Sequence, residues 1–120
     1  MPSQPFRKTQ RVRRRGEFEH VFKVGYRISS RYFTLLLAPR SSPPARLGIV
    51  ASRKLGDAVH RNLAKRLIRE VFRHIQPPAA VDVLVIPRRE LFDAPFIDIE
   101  RDFRTAWSRG NSRIHQNNAR

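Results

Sequence analysis

Three stretches of the chain repeat apolar residues at helical spacing, and four short runs are apolar in the manner of strands. In RGEFEHVFKVG, Phe18, Val21 and Phe22 stand at i, i+3 and i+4, with Glu17 and Glu19 in the first turn; this predicts a short helix closed by Gly25. YRISSR (26–31) reads as a brief strand and YFTLLLA (32–38) as a stronger one, followed by a Pro/Ser connection, PRSSPPAR. RLGIVAS (46–52) is apolar enough for a central strand, and SRKLGDA after it is a turn. A long helix is predicted from near Asp57 to about His74, stopped by QPPAA because proline cannot continue a helix. DVLVI (82–86) is a short buried strand, and Asp93 is placed to cap a last helix ahead of Pro95. That helix spaces Phe96, Ile99, Phe103, Ala106 and Trp107 along one face, and NSRIHQNNAR beyond it reads as a frayed tail.

The order αβββαβα predicts one α/β (α+β) domain, with a mixed central sheet of about four strands packed with helices. Its strands around the long helix, within 46–86, are expected to be parallel, and the general preference is for a right-handed crossover there. The expected divisions are a basic arm over 1–15, a folded domain over 16–108 and a flexible tail over 109–120.

The two sides of the long helix differ in kind. At about 100° per residue, Leu63, Ala64, Leu67, Ile68, Val71 and Ile75 gather on one side. Arg61, Asn62, Lys65, Arg66, Arg69 and Arg73 gather on the other, with Glu70 at a border. A solvated helix face ordinarily mixes signs, with Glu placed to pair with Lys or Arg one turn away. Here Arg61, Lys65, Arg69 and Arg73 form a ladder of like charge at i, i+4, each step costing a few tenths of a kcal/mol. The pattern calls for an external anion.

Composition widens that inference to the whole chain. Lys and Arg number 25 against 10 Asp and Glu, a net charge of +15, and all but four of the bases are arginine. Arginine suits phosphate because its planar fork donates two hydrogen bonds at once, and it also stacks on bases. The excess lies almost wholly in residues 1–81, so the polyanion site belongs there. A membrane surface is anionic too, but the longest apolar runs, 35–38 and 83–86, are far too short to span one. MPSQPFRKTQRVRRR has no apolar core for a secretory signal; it is Arg-rich and acid-free, as organellar transit segments are, but nucleic acid is the favoured partner. With no cysteine, disulfides and thiolate metal sites are excluded, which fits a reducing cytosol.

GIVASRKLGDAVHRNLAKRLIREVF resembles the signature region of the bacterial ribonuclease P protein subunit: a strand ending in Ser, a basic pair, Gly-Asn-Ala-Val, then Arg-Asn-Arg-x-Lys-Arg-x-Ile-Arg. EFEHVFKVG upstream and DVLVIPR downstream extend the resemblance. Leu63 departs from it where the family has its second Arg, and Asp57 departs where Asn is usual, although Asp caps a helix as well. The resemblance implies a cytoplasmic protein, monomeric outside its complex and not membrane-bound. Such a protein joins a catalytic RNA to remove the 5′ leader of precursor tRNA, with Mg²⁺ held mainly by the RNA. It implies catalytic-RNA contacts at Arg53, Lys54, Arg61, Asn62, Lys65, Arg66 and Arg69, and Arg73 continues the row. It also implies a left-handed crossover, as in the second domain of a small-subunit ribosomal protein, and this takes precedence over the general preference.

The resemblance further implies a cleft for the single-stranded leader between the first helix and the sheet. Phe18, Phe22, Phe33 and Leu36 match its lining positions, although Tyr is common where Leu36 stands, and Arg27 and Arg31 are expected phosphate contacts. Aromatic platforms flanked by cations bind a single strand with little sequence choice. By spacing alone, Phe18 and Phe22 read as core residues.

No protein active site is legible. Asp98, Glu100 and Asp102 alternate around the last helix instead of converging, and His20, His60, His74 and His115 lack ligand spacing. GIVASRKL lacks the second Gly of a phosphate loop. That agrees with the resemblance, which implies that the RNA carries the hydrolysis and that the protein has no catalytic residue. The other readings are a ribosomal-type protein binding structured RNA without cleavage, and an autonomous metal-dependent nuclease.

Overall fold

The computed structural model describes residues 11–41, 44–75 and 80–118, with the backbone alone for 115–118. The expected arm over 1–10, the proline stop at 76–79, the His115 side chain and residues 119–120 lie outside that description. The elements are α1 (Arg15–Val24), β1 (Tyr26–Ser29), β2 (Phe33–Pro39), β3 (Arg46–Ile49), α2 (Ala58–Ile75), β4 (Val81–Pro87) and α3 (Phe96–Asn118). Short 3-10 turns at Arg53–Leu55 and Arg89–Asp93 precede α2 and α3.

The strands form one mixed sheet in the order β1-β2-β4-β3, antiparallel except for the parallel pair β3/β4. β2 and β4 are central and covered on both faces, which is why their sequences are continuous apolar runs without alternation. Phe33, Leu35, Leu37, Leu47, Val83 and Val85 pack against α2 and α3. Leu36, Ala38 and Leu84 face the other way, under Val12 and Val21. Gly110 lets α3 press against the sheet; a Cβ there would lie 1.9 Å from Leu37 Cδ1.

The crossover through α2 is left-handed, as the resemblance implies and against the general preference. Seen from the α2 side with β3 running upward, Leu47 turns its side chain to the viewer, and its carbonyl accepts the Val12 N–H at the outer edge. In an L-peptide strand, a side chain facing the viewer sets that residue's carbonyl to the right. Val12 is therefore on the right and β4 on the left. Val85 agrees: its side chain faces α2, and its carbonyl accepts the Val50 N–H just beyond β3.

Three expectations are corrected here. The arm does not extend to residue 15: Arg11 bridges Leu47 and Val12 is 5% exposed, closing the open edge of β3. The tail does not begin at 109, because α3 continues to Asn118 with Ile114 buried about two turns beyond Trp107. Asp93 ends a 3-10 turn instead of capping α3, whose first backbone acceptor is the Pro95 carbonyl.

Candidate nucleic-acid interface

The chain enters α2 through two devices. Leu55 is buried and anchors the turn that leaves Arg53 and Lys54 exposed. Gly56 then adopts φ 147°, a left-handed conformation that glycine reaches without a side-chain clash. Asp57 caps the helix, accepting the His60 N–H at 3.0 Å and facing His60 Nδ1 at 2.7 Å. These contacts, first the backbone N–H and then the ring, hold its carboxyl below the ordinary range. The usual Asn is thus replaced without loss of the cap.

Along α2, Ala64, Ile68, Val71 and Phe72 are buried, while Asn62 and Arg66 are exposed and Arg61, Lys65 and Arg69 half-buried. Among the described residues, Arg53, Lys54, Arg61, Lys65, Arg66 and Arg69 make no ion pair or side-chain hydrogen bond. Arg73 differs: its guanidinium lies 3.2 Å from Glu70. The expected row of free cations therefore stops at Arg69. Leu63 also departs from its expected place on the apolar side. It lines a shallow surface hollow with Val59, Asn62, Lys65, Arg66 and Arg69.

The second surface is narrower than expected. Phe18 is half-buried and its ring lies over Gly48, where a Cβ would approach Phe18 Cε1 to 2.9 Å. Phe22, one turn on, is 49% exposed. Arg27 pairs in register with Leu36, so both point to the α1 face; Arg27 is exposed, whereas Leu36 is 4% exposed beneath α1. Phe33 and Arg31 do not belong to this face. Phe33 is three positions from Leu36, so strand alternation sends it to the opposite side, where it is fully buried edge-on to Phe103. Arg31 stands over the Tyr32 ring at 5.4 Å, and its N–H reaches Asp102 at 3.4 Å, on the α3 side. Arg88 was not anticipated: it donates to Thr34 Oγ1 at 3.3 Å on the same sheet face as Leu36. Its signal was only the DVLVIPR string, which says nothing of direction.

Beneath α1 lies a paired cluster that the sequence reading missed. Arg46 donates through Nε and Nη2 to the two Asp82 oxygens at 2.7 and 2.8 Å, and through Nη1 to Glu17 at 2.5 Å. Asp82 is 4% exposed. Glu17 also accepts the N–H groups of Arg13 and Arg14, joining the start of α1 to the sheet. Those two backbone donors chiefly, with Arg46 adding to them, lower its carboxyl from 4.5 to about 2. The Asp82 hydrogen bond leads in raising the Arg46 guanidinium above its ordinary value. Among the described residues, no group of three or more His, Asp or Glu is placed to hold a metal ion. No helix among them is long and apolar enough to cross a membrane.

The family model for ribonuclease P matches residues 6–111. A ribonuclease P protein component from Petrotoga mobilis is 38% identical over 93 residues, 76% of this chain and 79% of the relative. One from Legionella pneumophila is 33% identical over 105 residues, 87% of this chain and 91% of the relative. Among solved structures, the ribonuclease P protein from Thermotoga maritima superposes with a TM-score of 0.73 at 36% identity, covering 79% of this chain and 92% of that one. A Staphylococcus aureus ribonuclease P protein mutant superposes with a TM-score of 0.77 at 31% identity, covering 84% and 87%. With the signature string on α2 and the fold shared over most of its length, this chain belongs to the ribonuclease P protein family.

Proposed function

We propose that this chain is the protein subunit of a ribonucleoprotein that removes the 5′ leader from precursor tRNA, working in the cytoplasm as a monomer that joins a catalytic RNA. The observation that carries the reading is the set of cations at Arg53, Lys54, Arg61, Lys65, Arg66 and Arg69, without a partner among the described residues and presented by α2 and the turn before it. Bound RNA phosphates neutralise that set and release counterions, so affinity falls steeply with salt. The α1 face, with Phe22 exposed and Arg27 beside it, takes the single-stranded leader by stacking and charge. Hydrolysis belongs to the RNA, and Mg²⁺ is held mainly among its phosphates, since Mg²⁺ favours phosphate and water ligands over an all-protein cage. The protein's part is to offset backbone repulsion and to add affinity for the leader.

Reconstitution tests this reading. The purified chain is mixed with precursor tRNA at low Mg²⁺, with and without the matching catalytic RNA. Leader removal is expected only with the RNA, and faster when the protein is present. Cleavage by the protein alone would overturn the proposal, and failure to stimulate the RNA would favour a ribosomal-type binding role.

A further inference from the structure

The hollow on α2 is the feature that charge neutralisation does not explain. Its apolar part is Val59, 74% exposed and the most exposed large apolar residue among those described, and Leu63 one turn further on. Around them stand Asn62, Lys65, Arg66 and Arg69, bordering an open hollow of about 670 Å³. Leu63 cannot hold a phosphate, and setting a phosphate backbone against Val59 and Leu63 would strip its water without supplying hydrogen bonds.

Building on the reading of α2 as the RNA-facing surface, we infer that this hollow receives the base of an unpaired nucleotide of the catalytic RNA, while Arg66 and Arg69 hold the phosphates on either side. A base has an apolar face that buries Val59 and Leu63, and its flanking phosphates cancel the surrounding cations. In an A-form helix the bases are stacked and present only their edges, so a base that fits must be unpaired. The Asn62 amide offers both a donor and an acceptor to the edge of that base. A second copy of this chain would bring the same cations against the same hollow, and like charges would oppose it.

The test compares Val59→Ser, Leu63→Ser and Arg66→Ala for binding to the matching catalytic RNA across a salt series, with base-specific chemical footprinting of the RNA. Because Val59 is so exposed, Val59→Ser reads the contact without disturbing the core. Each Ser variant is expected to weaken binding roughly fivefold to tenfold, as for apolar contact on the order of 50 Å² lost. The salt slope should stay unchanged, and one unpaired base protected by the parent protein should become reactive. Arg66→Ala should weaken binding and lower the slope by about one. If the Ser variants bind and protect like the parent while Arg66→Ala is weakened, the base site is overturned and the α2 reading stands. If Arg66→Ala is also unaffected, the α2 reading itself fails. A dimer of the parent chain abolished by Val59→Ser would assign the hollow to a second copy and overturn the inference as well.

Discussion

Arg46 and Arg69 are the same residue put to opposite uses, and the regions around them differ accordingly. Arg46 is 19% exposed and spends its fork on Asp82 and Glu17, inside the seam where α1 meets the sheet. Arg69 has no ion pair or side-chain hydrogen bond among the described residues and stands one turn from Lys65. A guanidinium whose donors are used within the chain serves the fold; one whose donors are left open, among like charges, serves a partner. In a chain of net charge +15, counting arginines cannot separate the two kinds. Only the accounting of partners does.

Removing the carboxylate from the paired region gives the largest expected effect. Asp82→Ala leaves Arg46 half-paired in a buried site and is expected to cost about 3–5 kcal/mol in urea denaturation. A loss below about 1 kcal/mol would mean that the cluster behaves like exposed ion pairs. The α1 face gives the next. Phe22→Ala should leave stability nearly unchanged while lowering affinity for precursor over mature tRNA by about 1–3 kcal/mol, the worth of one stacked base. Loss of folding with no change in that preference would class Phe22 with Arg46 as structural. The smallest effect has the opposite sign. Arg69→Ala relieves repulsion from Lys65 and Arg73, so thermal melting of the free protein should show a gain of about 0.5 kcal/mol. The same variant should bind the catalytic RNA less tightly, and a free protein that is instead destabilised would show that Arg69 has a partner within the fold.

Several residues mark where sequence reading stopped. The apolar run of β2 announces a strand, but burial on both faces erases the alternation that would have told Phe33 from Leu36. Parity alone separates them, and it places Phe33 against Phe103 instead of along the leader surface. Arg31 reads as a contact on the leader surface until its backbone N–H, bonded to Asp102 71 residues away, fixes it on the α3 side with its guanidinium over Tyr32. Leu63 sits at the margin of the α2 wheel, and only the packed helix shows which side it joins.

By itself the sequence determined the order of elements, the division of α2 into apolar and basic sides, the Asp57 cap and the family string. Each depends on residues within a few turns of one another, where periodicity and capping act through the local backbone. The tertiary structure decided the left-handed crossover, the Arg46–Asp82–Glu17 cluster, the burial of Ile114 and the hollow at Val59 and Leu63. Those depend on which distant surfaces meet. Arg46 and Asp82 are 36 residues apart, and their pairing exists only because β3 and β4 lie side by side.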